Sequence, residues 1–194
     1  MVRPLQPIGL IYGVMHHKLS AAEPDLQSVR QEADKINDFA KAALHECMDM
    51  GTWLAPEPGV LVELGAGVRE CVGLLATMLH FCGFSLVNEV EEIPVQVQRD
   101  AMRMVLSAAL LELADSLTEP ATLTISAAAV SKDEVALFLQ VRAKREGDVD
   151  HYEDGYRKLL WQDVQALAAA EDVILSREGD LLTMGFAVEP APVH

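Results

Sequence analysis

The sequence predicts an α+β protein in which a helical hairpin precedes a two-layer α/β sandwich, with helices on one face of a mixed sheet. Three observations support this prediction. Apolar residues in roughly the first 50 positions are spaced by three and four, which is typical of packed helices. Residues 51–59 contain two prolines and two glycines, which interrupt a helix. Beyond them, short stretches with strand-like alternation are separated by longer stretches with helical spacing.

The hairpin is predicted over residues 4–50. Its first helix places apolar side chains at Leu5, Ile8, Tyr12, Met15 and Leu19. A break follows at residues 20–24, where Ser20 and Glu23 have the spacing of a capping box and Pro24 suits a first helical turn. The second helix continues the spacing at Leu26, Val29, Ala33, Ile36, Ala40, Ala43, Cys47 and Met50.

This apolar stripe is expected to be buried by a second copy of the hairpin. Two helices alone leave much of such a stripe in water, whereas two hairpins form a four-helix bundle that covers it. We therefore predict a homodimer. The alternative is that the hairpin packs against its own C-terminal domain.

Composition narrows the class of protein. Hydrophobic residues make up 51% of the 194 positions, so a sizeable core is expected. The formal charge is -15, which disfavours nucleic acid and anionic membranes as partners. There is no apolar run long enough for a membrane span and no signal-peptide pattern, so we expect a soluble, cytoplasmic protein. The three cysteines lack metal-ligand spacing and fit small core residues in a reducing compartment.

After the linker, the predicted order is β-α-β-β-α-β-β-loop-α-β-β. The strands are expected at residues 60–64, 84–90, 95–97, 121–130, 135–143, 173–177 and 181–188. The helices are expected at residues 65–81, 98–117 and 152–170, with a charged loop at 144–151 and a tail at 190–194.

Several stretches resemble the transmitter core of bacterial sensor histidine kinases. They are residues 3–8 (RPLQPI), residues 33–39 (ADKINDF), residues 59–64 (GVLVEL), the helix at 104–117 and the strand pair at 121–141. That core is a dimerisation and histidine-phosphotransfer hairpin followed by a GHKL-type ATPase domain; the histidine phosphotransferases are related to it. The resemblance implies a dimerisation hairpin at 1–52 and a degenerate histidine-kinase-like ATPase domain at 59–189.

The residues that carry the chemistry of that family are missing. Pro4 is preceded only by Met1, Val2 and Arg3, so the phosphorylated histidine has no place. The positions for the magnesium-binding asparagine hold Ala108, Glu112 and Leu113, and Glu112 is expected to be exposed or to serve as a cap. The strand that should lead into Asp-x-Gly-x-Gly ends at Ala143, and the Gly-rich lid keeps only Gly155. We therefore expect no ATP-dependent kinase activity, no cofactor and no metal.

Two histidines remain as chemical candidates. His16 and His17 lie near the end of the first helix, outside its apolar stripe. They could carry a phosphoryl group, or they could be surface histidines favoured by the helix dipole. No histidine has zinc-site spacing.

Two functions follow from the resemblance. The first is a signalling pseudokinase that binds a response-regulator receiver domain or a histidine kinase, with the contacts made by Ile8, Ile11, Tyr12, Phe39 and Leu44. The second is a histidine phosphotransferase that uses His16 or His17. A third possibility is a fragment of a sensor histidine kinase, with the reactive histidine upstream of Met1.

Overall fold

The computed structural model describes residues 6–21, 24–91, 93–144 and 158–188. The chain forms two compact units, Met1–Ala55 and Pro56–His194. Each unit is described by itself. The described part of the chain contains no helix that is long and apolar enough to cross a membrane.

Unit 1 is the predicted hairpin, made of α1 (Gln6–Leu19) and α2 (Leu26–Trp53). The residue that caps α2 is Asp25, whose carboxylate accepts from the backbone N–H groups of Gln27 and Ser28 at 3.1 Å. The prediction of Ser20 as the cap is therefore wrong; its hydroxyl donates to the carbonyl of His16 at 2.9 Å and helps to end α1. Glu23 lies outside the described residues.

Helix α2 is also longer than predicted. It continues through Gly51 to Trp53, and Leu54 donates to the carbonyl of Met50 at 2.9 Å. One glycine in a helix costs only about 1 kcal/mol relative to alanine, so the residues around it can keep the helix intact. The connecting segment therefore begins later than residue 51.

The apolar stripe of the hairpin divides into two faces. The seam between the helices is formed by half-buried or buried residues. They include Ile8, Ile11, Met15 and Lys18 on α1, and Val29, Glu32, Ile36, Phe39 and Ala43 on α2. Lys18 fixes the register of the seam, since its ammonium donates to Ser28 Oγ at 2.7 Å and to Glu32 Oε1 at 3.0 Å.

Most of the other apolar positions of the hairpin are exposed. The two helices of a hairpin run in opposite directions. Residues that are rotated away from the seam in the same sense, each about its own helix axis, therefore lie on the same side of the pair. We call this set the open apolar face; its members are Tyr12, Leu19, Leu26, Ala33, Ala40, Leu44, Cys47 and Met48. The heptad pattern of the sequence had combined the seam and the open apolar face into one stripe.

The described residues of unit 2 form two sheets and three helical regions. Its strands are β1 (Leu61–Glu63), β2 (Ser85–Asn88), β3 (Gln96–Gln98), β4 (Ala121–Ala129), β5 (Glu134–Ala143), β6 (Ile174–Glu178) and β7 (Leu181–Ala187). Its helices are α3 (Leu64–Phe81), α4 (Arg99–Ala101), a π-helical segment (Met102–Leu106), α5 (Ser107–Ser116) and α6 (Trp161–Ala170). The segments from Arg99 to Ser116 follow one another without a break.

The larger sheet has five strands in the order β2-β4-β5-β7-β6. Strands β2 and β4 are parallel and the other pairs are antiparallel, while β1 and β3 form a separate antiparallel pair. One face of the larger sheet is buried at its centre. Ile125, Leu139 and Leu182, which are paired in register on the three neighbouring strands β4, β5 and β7, are all buried. Thr124 and Thr183, on the other face, are only half-buried.

This alternation means that the helices cover one face of the sheet, so the predicted two-layer α+β fold is confirmed. The predicted strands agree with the structure to within a few residues. The helix predicted at 152–170 is seen from Trp161 onward, and residues 158–160 before it are not helical. Residues 152–157 and the tail at 190–194 lie outside the described residues.

Candidate functional site

A partly buried ion pair lies between α5 and β6 in unit 2. Glu112, on α5, has a side chain that is only 4% exposed. Arg177, on β6, approaches it with Nη1 at 3.4 Å from both carboxylate oxygens. The guanidinium carbon also lies 5.7 Å from the centre of the Trp161 ring on α6, which is a cation–π distance. We call these three residues the Glu112 site.

The expectation that Glu112 would be exposed or would act as a cap is therefore wrong. The physical reason is that Arg177 occupies a position in β6 that pairs with the buried Leu182 of β7, so its side chain reaches the helical layer. There it supplies the countercharge that allows a carboxylate to be buried.

Two opposing influences act on the Glu112 carboxyl group. Burial raises its pKa above the ordinary value of 4.5, and the nearby Arg177 charge partly opposes this rise. One turn further along, Asp115 accepts a hydrogen bond from the backbone N–H of Leu159 at 3.0 Å. The Glu112 and Asp115 carboxylates, near the C-terminal end of α5, are therefore both bonded to other groups of this chain.

The other positions that the resemblance assigned to nucleotide binding are apolar. Ala108 and Leu113 are buried in α5. Ala143 is exposed at the end of β5, opposite Ala121. Gly155 lies outside the described residues. Within the described ranges, no three histidine, cysteine or acidic side chains are arranged to hold a metal ion.

The histidines of α1 are both exposed. Their positions differ, because successive residues of a helix are rotated by about 100°. His16 borders the open apolar face and lies beside Tyr12, with 6.3 Å between the ring centres and the rings tilted by 40°. His17 lies on the side of α1 that is turned away from the seam.

The five predicted partner-binding residues do not form a single accessible surface. Ile8, Ile11 and Phe39 are half-buried in the seam. Tyr12 and Leu44 lie on the open apolar face, where they are 56% and 62% exposed. The seam must bury one apolar side of each helix, so only part of the predicted set is available to a partner.

Arg177, Trp161 and a second group of charges in unit 2 are not predicted from the sequence. This group, which we call the charge cluster, consists of Glu57, Glu70, Arg99 and Arg103. A signal for Arg177 was present: it follows Leu175 by two residues, so the two side chains share one face of the strand and the apolar face carries a charge. Which residue would pair with it was not visible, since Glu112 is 65 positions away.

The comparisons with known proteins give structural matches only. No protein-family model and no curated protein matches the sequence. A histidine kinase of Acinetobacter baumannii, AdeS, is 14% identical with a TM-score of 0.49, over 92% of this chain and 94% of that one. A histidine kinase of Burkholderia phymatum is also 14% identical, with a TM-score of 0.46, over 96% of each chain.

A third match is histidine kinase ThkA in complex with the response regulator protein TrrA. It is 12% identical with a TM-score of 0.46, over 95% of this chain and 57% of that one. All three are histidine kinases, the family that the sequence resembles. At these identities and TM-scores, the likeness says nothing about activity.

Proposed function

We propose that this chain is a two-component signalling protein of the cytoplasm: a dimeric, histidine-kinase-like scaffold without a competent ATP site. In this role it binds a receiver domain or a histidine kinase and does not transfer phosphate from ATP. The observation that carries the proposal is the Glu112–Arg177 ion pair. Glu112 is one of the three positions, with Ala108 and Leu113, to which the resemblance assigns the magnesium-binding asparagine.

The chemistry of this ion pair is unfavourable to a metal–triphosphate complex. A magnesium ion needs oxygen ligands that are open to solvent and to phosphate. The Glu112 oxygens are buried and both face the Arg177 guanidinium, so a metal ion would have to displace a cation that is already in place. The Ala143 side chain also has no acceptor for a hydrogen bond from the adenine amino group, unlike the aspartate that the family uses.

Calorimetry of the full chain with ATP and Mg²⁺ tests this part of the proposal. We expect no heat of binding. The variant Arg177→Gln serves as a matched control, because it frees the Glu112 oxygens while Ala143 stays as it is; it should also fail to bind. Micromolar binding by the unaltered chain would contradict the proposal, and binding by the variant alone would show that the ion pair is the only obstacle.

The dimer part of the proposal rests on the open apolar face. Leu26, Leu44 and Met48 are 69%, 62% and 64% exposed in the single chain. Burying a large apolar side chain contributes about 1.5–3 kcal/mol, so a surface with several of them favours association. A second copy presents the same face by two-fold symmetry, and the two hairpins then form a four-helix bundle.

Light scattering after size-exclusion chromatography tests the dimer. The unaltered chain should have twice the mass of one chain, and Leu44→Glu should shift it towards a monomer. Leu10→Glu is the matched control, since Leu10 is 75% exposed but lies on the other side of α1. A monomeric unaltered chain, or equal effects of the two substitutions, would contradict the proposed interface.

Of the residues predicted to bind a receiver, Ile8, Ile11 and Phe39 are half-buried in the seam and Leu44 is assigned to the dimer contact. We therefore place receiver binding at Tyr12, beside His16 at the edge of the open apolar face. Binding of purified receiver domains to the immobilised chain should be weakened about tenfold or more by Tyr12→Ala, because exposed aromatic residues often dominate such interfaces. His17→Ala, on the outer side of α1, should leave it unchanged. A receiver that binds the Tyr12 variant normally would contradict this placement.

The alternative function, a histidine phosphotransferase, is favoured by one observation: His16 is exposed beside the open apolar face. In that case a phosphorylated receiver should transfer an acid-labile label to the chain. Replacing both His16 and His17 by glutamine should abolish the label, and an undiminished label would exclude this function.

A further inference from the structure

The charge cluster lies where the chain enters unit 2. Its first member, Glu57, is the second residue of that unit and follows directly on the segment that leaves the hairpin. Its other members lie on helices: Glu70 on α3, Arg99 on α4 and Arg103 in the π-helical segment. Glu57 is therefore the one member of the cluster that belongs to the connecting segment.

Each arginine of the cluster bridges both glutamates. Arg99 contacts Glu57 Oε2 at 2.8 Å and Glu70 Oε1 at 3.4 Å. Arg103 contacts the same two oxygens at 3.2 Å and 2.5 Å. The two arginines are thus linked to each other through two carboxylate oxygens, one from each glutamate. The four side chains form a network and not an isolated surface pair.

Burial makes it costly to separate the helical members of the network from one another. The Arg103 side chain is only 7% exposed, so its charge depends on the glutamates for compensation. The Glu57 side chain is 42% exposed and can return to water. If the cluster opens, Glu57 is the member that leaves, while Glu70 stays with the two arginines.

Backbone hydrogen bonds also hold the segment around Glu57 to the helical region that carries the two arginines. The Glu57 N–H donates to Asp100 Oδ2 at 2.8 Å. The Val60 N–H donates to the Glu57 carbonyl at 3.1 Å, and the Arg99 N–H donates to the Val60 carbonyl at 2.9 Å. Side-chain and backbone bonds therefore hold residues 57–60 against the start of the helical region at 99–106.

We propose that residues 56–60 form a strap that the charge cluster holds closed and that can detach without unfolding of the sheet of unit 2. The strap sets how firmly the chain leaving the hairpin is attached to unit 2. The bonds that hold it are ionic and partly exposed, so it loosens as ionic strength rises. This device does not depend on the signalling role proposed above.

Hydrogen exchange measured by mass spectrometry on the full chain tests the strap. Pro56 and Pro58 have no amide hydrogen, so a peptide spanning residues 55–61 reports on few amides, with Glu57 and Val60 among them. In Glu57→Gln this peptide should exchange about three- to tenfold faster, while peptides from β4 and β5 should be unchanged. Glu119→Gln is the control: Glu119 is exposed and makes no ion pair within the described residues.

Salt gives a second, independent readout. Raising NaCl from about 0.05 M to about 1 M should speed exchange of the 55–61 peptide in the unaltered chain and change it little in Glu57→Gln. The proposal is overturned if Glu57→Gln and Glu119→Gln exchange alike at this peptide. It is also overturned if β4 and β5 open together with residues 55–61, because the segment would then be part of the core and not a strap.

Discussion

Removing Arg177 should destabilise unit 2 more than removing the charge of its partner. In Arg177→Met the Glu112 carboxylate, 4% exposed, loses its countercharge while most of its surface stays shielded from water. Breaking a buried ion pair from one side typically costs about 3–5 kcal/mol. Arg177 is itself 30% exposed and its contacts are 3.4 Å long, so a lower cost of about 2 kcal/mol is expected here.

The reverse substitution should be milder. In Glu112→Gln the remaining guanidinium can turn towards solvent, and the amide can still accept a hydrogen bond. We expect a loss of about 0.5–1 kcal/mol, in the range of a single neutral hydrogen bond. The double variant should cost less than the sum of the two single variants, because they remove the same interaction.

The pH dependence follows from the sign of the pKa shift. The pKa of Glu112 is raised in the folded protein, so its contribution to stability is fully present below the unfolded value of 4.5 and is lost as pH rises through the folded pKa. Without Arg177 the carboxyl is harder to ionise, and its pKa should rise further. The cost of Arg177→Met should therefore be large at pH 7 and shrink as the pH approaches about 4.5.

Urea unfolding at several pH values, followed by circular dichroism, measures these free energies. Methionine is chosen because it keeps an aliphatic chain against Trp161. The reasoning would be refuted if Arg177→Met cost less than about 0.5 kcal/mol at pH 7, if its cost did not depend on pH, or if Glu112→Gln cost more.

Three other predictions concern single residues. Asp25→Ala should destabilise the hairpin by about 1 kcal/mol through loss of the α2 cap; an unchanged unfolding curve would show that the cap is not needed. Gly67→Ala should lower the free energy of unfolding by about 1–3 kcal/mol, since the new Cβ would lie 2.9 Å from Met102 Cγ in a packed core. A neutral result in the same assay would mean that Met102 moves aside easily. Cys47 is exposed and should react with a thiol reagent at pH 8 far faster than Cys71, because burial raises the pKa of the Cys71 thiol to about 11. Equal reaction rates, measured by mass spectrometry, would contradict the burial of Cys71.

The sequence by itself determined the parts of the fold that depend on neighbouring residues. The hairpin and the alternation of β4, β5 and β7 were predicted, because the period of apolar residues is a local property of the chain. The capping residue was assigned to Ser20 and not to Asp25, since both are good caps and only the observed hydrogen bonds separate them.

Only the tertiary structure decided which charges meet. Glu112 and Arg177 are 65 positions apart, and Glu57 and Arg103 are 46 apart, so no local pattern could pair them. The same holds for the stripe of the hairpin, where rotation of the helices placed Ile11 in the seam and Tyr12 on the open apolar face. Periodicity determines which side of an element is apolar, whereas the partner that each side meets depends on contacts between distant parts of the chain.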